Sequence, residues 1–185
     1  MHSNETSLIN RIKNKANGQA ANELVSLYYK EMYAFVYRQT LDKELSLDLT
    51  QEIFISMLQS IHGFNAEKAS FRTWLYKLAT YRVVDYYRSR AYRYQTITVN
   101  SEDIDITDSE DFTISLEYKH EVERVTSLVN SLDSQSQQIF RLKLFADYSF
   151  KEIAASLSMA ESTVKTKYYS TLKKVKSNLE AEDDE

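Results

Sequence analysis

The chain of 185 residues has no cysteine, no proline and only two glycines, Gly18 and Gly63. Without cysteine there is no disulfide, no thiolate nucleophile and no Cys-ligated zinc. Two glycines cannot build a glycine-rich phosphate loop or the turn-dense connections of most β folds. No apolar run approaches the ~18–20 residues of a membrane span. The polar stretch 1–17 also lacks the apolar segment of a signal peptide, so a cytoplasmic protein with no membrane insertion is expected. The three histidines, His2, His62 and His120, are widely spaced, and no nucleophile–base arrangement stands out. No catalytic residue, metal or cofactor is therefore expected, and the chain reads as something other than an enzyme.

What is present is helical and charge-segregated. Apolar residues make up 43% of the chain, enough to bury a core. The net charge of −4 rules out a uniformly basic nucleic-acid binder but hides a pattern along the chain. Residues 1–95 carry net +4, residues 96–120 net −6, residues 121–179 net +3, and residues 180–185 five acids. The stretch 96–113, rich in Thr, Ser, Asp and Glu, lacks helical periodicity and reads as a linker. The organisation that follows is a helical domain over 1–94, an acidic linker over 95–120, a second helical domain over 121–179 and an acidic tail over 180–185.

In the first block Leu24, Leu27, Tyr28, Met32, Phe35 and Val36 recur at three- and four-residue steps, the signature of an amphipathic helix. Asp42 is placed to cap a helix over 42–61. A third helix spans about 70–90, with Phe71, Trp74, Leu75, Leu78, Ala79 and Tyr86 on its buried arc. In the second block helices are expected over 122–130, after a cap at Asp133, from a capping box at Ser149 to about 157, and over 160–178. The fold class is all-α, in two small helical domains.

The last two helices, joined by two or three residues, have the outline of a helix-turn-helix. Val164, Tyr168, Leu172, Val175 and Leu179 fall within about 80° at about 100° per residue and form the packing face. Ser162, Thr163, Thr166, Ser170 and Lys173 lie opposite, flanked by Lys165, Lys167, Tyr169 and Lys176. Small hydroxyl side chains let a helix approach DNA closely, and lysines contact phosphates. A lysine-rich solvated helix capping a bundle is the plainer alternative.

Residues 68–93 hold seven basic side chains against one acid, Asp85, together with eight aromatics in or beside the segment. Thr73, Lys77, Tyr81, Val84 and Arg88 form a strip outside the core arc, with Tyr76 and Thr80 beside it. Cations capture phosphates and exposed rings stack on unpaired bases, a combination suited to single-stranded or opening DNA. A surface helix whose tyrosines extend the core fits the same composition. Asp85, near the buried edge, is expected to pair with an arginine. On the preceding helix Asp48, Gln51, Glu52 and Ile55 share one face, which is either a docking patch or a solvated stripe.

The order of these segments resembles the extracytoplasmic-function (ECF, group 4) sigma factors of the sigma-70 family. The resemblance rests on Asp48-Leu49-Thr50-Gln51-Glu52-Ile53-Phe54, then Phe71-Arg72-Thr73-Trp74-Leu75 leading to Val84-Asp85-Tyr86-Tyr87-Arg88. Glu152-Ile153-Ala154 and Thr163-Val164-Lys165 follow in the helix-turn-helix. The resemblance implies a dissociable, non-catalytic subunit of bacterial RNA polymerase. Its first domain, sigma region 2, would dock on the β′ clamp helices through Asp48, Gln51, Glu52, Phe54 and Ile55. The loop with His62, Phe64, Asn65 and Lys68, and the helix with Thr73, Lys77, Tyr81 and Arg88, would recognise and melt the promoter −10 element. Its second domain, sigma region 4, would bind the β flap and read the −35 element through Ser162, Thr163, Lys165, Thr166, Lys167, Tyr169, Ser170 and Lys173. An anti-sigma factor is the implied regulator, and the acidic linker would thread a basic channel of the polymerase.

The chain departs from the family pattern at several positions. Tyr81 stands where the family often has Asn. Ser158, Ala160 and Ser162 replace glycines and a proline, Ser170 and Leu172 replace frequent arginines, and Asp133 replaces a proline. A helix-turn-helix regulator with a helical sensor domain is the competing reading, and a helical scaffold without a nucleic-acid role is a second.

Overall fold

A computed structural model describes residues 2–15, 17–96 and 116–183, with side chains at 4–15, 17–89, 122 and 124–179. Among these residues the regular structure is helical. The elements are α1 (His2–Lys15), α2 (Gly18–Thr40), α3 (Lys43–Ser60), α4 (Phe71–Thr96), α5 (Leu116–Asn130), α6 (Ser134–Phe145), α7 (Phe150–Leu157) and α8 (Glu161–Asp183), with a 3-10 turn at Ile61–Gly63. The central part of the expected linker, 97–115, lies outside the described residues. Its edges do not: 95–96 complete α4, and 116–120 open α5.

Local chemistry sets the boundaries. The Asn17 side chain caps α2 by accepting from the Ala20 N–H at 2.8 Å. That helix ends at Leu41, which takes a left-handed conformation (φ 53°) and donates its N–H to the Tyr37 carbonyl. Asp42 follows at once, its carboxylate accepting from the Leu45 N–H at 2.9 Å. A connection this short folds α3 back against α2. Asp133 caps α6 in the same way, and the Ser149–Glu152 capping box starts α7.

α1 was not foreseen. Leu8, Ile9 and Ile12 are buried, and α1 packs on α2 and on the Ile61–Gly63 turn. Three apolar residues within one polar stretch gave too weak a period to stand out in the sequence. In the first unit Leu24, Met32, Phe35, Leu49, Ile53, Met57, Phe71 and Leu75 form the core. In the second, α8 lies against α5, α6 and α7, with Val164 and Val175 buried and Tyr168, Leu172 and Leu179 partly so. This is the packing face read from the sequence, to which the structure adds buried Thr171.

The two units also pack on each other. α4 lies against α6 and α7, and α2 against α6, so one apolar core runs through both. Arg141 of α6 sits in this contact at 0% exposure. Its Nη1 donates to Gln39 Oε1 at 2.7 Å, its Nη2 donates to Asn130 Oδ1, and the guanidinium lies 5.1 Å from the Tyr87 ring centroid. Burial pushes its pKa down to about 10, so the buried group is still charged at neutral pH. Tyr148 is buried against Tyr76 at 5.5 Å, and its phenol is pushed up to about 12 by burial.

This packing corrects the reading of α4. Tyr76, Thr80 and Val84, placed outside the core arc by helical periodicity, are all buried. α4 is covered from two directions, by the first unit on one side and by α6 and α7 on the other. A single amphipathic arc describes a helix with one apolar neighbour, not one with two.

Candidate nucleic-acid interface

On α3, Asp48 and Gln51 are exposed, and Ile55 on the same face is 54% exposed. Glu52, on the same face, is engaged within the chain. Arg82 Nε donates to Glu52 Oε2 at 2.5 Å, and Nη2 of the same arginine makes a second contact. Phe54 is a correction: it is 5% exposed and stacks on Tyr29 with ring centroids 6.1 Å apart. It supports the stripe from below and presents no surface of its own.

The segment between α3 and α4 divides in the same way. His62, Asn65 and Lys68 are exposed. Phe64, expected among them, is 7% exposed, edge-on to Phe71 at 5.5 Å and tilted against Trp74 at 5.3 Å. The next residue, Asn65, turns the chain by accepting the Glu67 N–H on its side-chain oxygen at 2.8 Å. An apolar ring in a loop of polar residues is drawn into the nearest aromatic pocket, and the polar side chains around it are left facing water.

Along α4 the surviving strip consists of half-buried Thr73 and Lys77, Tyr81 at 36% exposure, and exposed Arg88. The Lys77 ammonium lies 5.8 Å from the Tyr81 ring centroid, so cation and ring form one surface. Asp85 is exposed and makes no ion pair among the described residues, contrary to the expected arginine partner. The arginines of this helix that pair are others: Arg82 with Glu52, and Arg72 with Glu31 of α2 at 2.5 Å. Tyr76 donates to the same carboxylate at 2.9 Å. Arg90, Tyr92, Arg93 and Tyr94 lie outside the described side chains.

α8 carries its hydroxyl and lysine face as read. Ser162, Thr163, Lys165, Thr166, Ser170 and Lys173 are exposed, and Tyr169 is 58% exposed. The Thr166 hydroxyl donates to the Ser162 carbonyl at 2.9 Å, which leaves its oxygen outward as an acceptor. Lys167 is half-buried and pairs with Asp133 at 3.6 Å. The Asp133 carboxylate lies below its usual range, chiefly through the Ser136 hydroxyl, with help from backbone N–H groups and Lys167.

The surroundings of Phe150 carry no signal in the sequence. Lys143 from α6 and Lys165 from α8 lie 5.6 and 5.9 Å from its ring centroid, and Tyr169 is 5.8 Å away. These side chains come from three helices, so no linear motif could have grouped them. Together they extend the basic face of α8 onto the start of α7.

Residues 24–93 match Sigma-70 region 2, and residues 123–175 match Sigma-70, region 4. RNA polymerase sigma factor YlaC of Bacillus subtilis is 30% identical over 159 residues, covering 85% of this chain and 90% of that protein. ECF RNA polymerase sigma factor SigX of the same organism is 28% identical over 160 residues, covering 85% and 82%. The fold resembles that of CnrH, solved with the cytosolic domain of CnrY, at a TM-score of 0.61 and 18% identity over 96% of this chain and 98% of the other. It also resembles RpoE of Bartonella quintana, solved with the anti-sigma factor NepR, at a TM-score of 0.57 and 16% identity over 86% and 96%. With both domains matched in order and a relative 30% identical over 85% of this chain, the chain belongs to the ECF sigma factors of the sigma-70 family.

Proposed function

We propose that this sigma factor divides promoter recognition between its two helical units as follows. Asp48, Gln51 and Ile55 of α3 dock on the β′ clamp helices of core RNA polymerase, with Glu52 held in the stripe by Arg82. His62, Asn65 and Lys68 receive a base extruded from the −10 element, while Lys77, Tyr81 and Arg88 follow the separating strand. Ser162, Thr163, Lys165, Thr166, Lys167, Tyr169, Ser170 and Lys173 read the −35 duplex, and the second unit meets the β flap. The chain supplies binding and orientation and no catalytic group. It acts in the cytoplasm, and an anti-sigma factor covers these surfaces when transcription is not required.

The observation that carries the reading is the exposed hydroxyl and lysine face of α8, backed by a buried apolar face and preceded by a capped short helix. A sensor-domain regulator would need no polymerase-facing stripe, yet Ile55 is left bare on α3 between polar neighbours. The test is run-off transcription with purified core polymerase on promoters selected from the host genome. Promoter-specific initiation is expected. Absence of initiation, together with no binding to clamp or flap, would sink the reading.

A further inference from the structure

α1 lies outside the matched region 2 segment, which begins at residue 24. Its buried side chains Leu8, Ile9 and Ile12 fix it on α2, and it reaches the Ile61–Gly63 turn. From its last turn Lys13 extends to the loop. The ammonium donates to the Phe64 carbonyl at 2.6 Å and lies 5.5 Å from the centroid of the Phe64 ring. The other hydrogen bonds among the described residues 64–69 stay local: the Phe64 N–H reaches Ile61, and the Glu67, Lys68 and Ala69 N–H groups reach Asn65. Lys13 is thus the polar link between this loop and another element, next to the buried ring on which the loop turns.

We infer that Lys13 is a positioning residue for −10 recognition: it clamps the loop at Phe64, so that His62, Asn65 and Lys68 face the extruded base in one geometry. The inference rests on the reading of this loop as the base-receiving site. The physical reason is pre-organisation. A segment bonded only to itself must be ordered when the base arrives, and that ordering lowers affinity for every base and blurs the difference between bases. A clamp from a separately anchored helix removes that ordering step before the base arrives. Lysine suits the role because its stem packs along the apolar surface while the ammonium reaches a carbonyl and a ring face together.

The test uses full-length protein in holoenzyme, on a promoter selected with the wild-type chain and on the same promoter pre-opened across the −10 element, with each base in turn at the extruded position. Lys13→Met is expected to reduce permanganate reactivity of −10 thymines and to compress discrimination among the four bases about tenfold, the range of one hydrogen bond from a charged group. Core affinity and −35 duplex binding should not change. Lys13→Arg, which keeps donor and charge, should restore most of the discrimination. Ile12→Val, which loosens α1 without touching the donor, should lower thermal stability and leave discrimination intact. Full discrimination by Lys13→Met, or an equal loss in Ile12→Val, would overturn the clamp. Asn65→Ala with Lys68→Ala separates the two levels. If that pair loses discrimination and Lys13→Met does not, only the clamp fails. If that pair also keeps it, the loop reading fails and takes the clamp with it.

Discussion

Glu52 and Ile55 lie on one face of α3, one ion-paired to Arg82 and one bare. At the level of single residues this difference predicts what substitution does. Removing Glu52 frees Arg82 and disturbs the α3–α4 contact, so its effect on polymerase binding would mix two causes. Gln51 and Ile55 are exposed, and truncating them leaves the fold alone. Gln51→Ala with Ile55→Ala is therefore expected to raise the Kd for core polymerase about tenfold, as for a central interface pair. The unfolding curve should be unmoved, and an unchanged Kd would remove α3 from the interface. Phe54→Ala would weaken binding for a different reason. Its ring is buried on Tyr29, and losing it costs roughly 3–5 kcal/mol of stability, measurable by urea unfolding.

At the level of elements, α7 and α8 act as a pair whose geometry is set by caps. Ser149 and Glu152 close the N-terminus of α7, and Ser158 ends it in the left-handed region at φ 57°. Ser149→Ala is expected to cost about 1 kcal/mol in thermal unfolding. The Ser149 hydroxyl, followed by its N–H, holds the Glu152 carboxyl below its usual range, and Ser136 does the same for Asp133. Both folded-state values are depressed relative to the unfolded chain. The stability they provide is present above the unfolded carboxylate pKa of about 4 and is lost as pH falls through the lower folded values. Acid titration of helicity should show Asp133→Asn and Glu152→Gln flattening the loss below about pH 4. On the exposed face of α8, Thr166→Ala with Ser170→Ala should change −35 preference in a promoter selection while core affinity holds. Identical selectivity would mean that another face of α8 meets the DNA.

These elements were legible because their determinants are local. Asp42, Asp133 and Ser149 cap the helices they precede, and the packing face of α8 repeats at the helical period. α1 was missed because Leu8, Ile9 and Ile12 become a face only when α2 lies beside them. Phe54 and Phe64 fall in interface segments by the family resemblance, whereas rings from other elements draw them inward.

The whole molecule is governed by the contact between its two units. Arg141 is buried there against Gln39, Asn130 and the Tyr87 ring, and among the described residues it has no carboxylate partner and its Nε has no acceptor. A charge held this way carries a desolvation penalty that neutral acceptors offset only in part. Arg141→Met is thus expected to leave urea stability unchanged or to raise it by about 1–4 kcal/mol. Gln39→Leu, which strands the guanidinium, should lower it by roughly 3 kcal/mol. Equal losses from both would show that the guanidinium bonds outweigh their desolvation. Thr80 and Val84 are also buried, so the strip of α4 open to a nucleic acid is narrower than its sequence implies.

The sequence by itself determined the all-α class, the segregated charge, the helix caps and the two-part order of the family, because each depends on residues within a few turns of one another. The tertiary structure decided which side chains remain at the surface. Exposure depends on every neighbour, and no helix carries in its own period the position of a second one packed across it. Tyr76, Thr80 and Val84 passed from surface to core in this way, Lys13 reached a loop 51 residues further along the chain, and Arg141 met Gln39 across 102 residues.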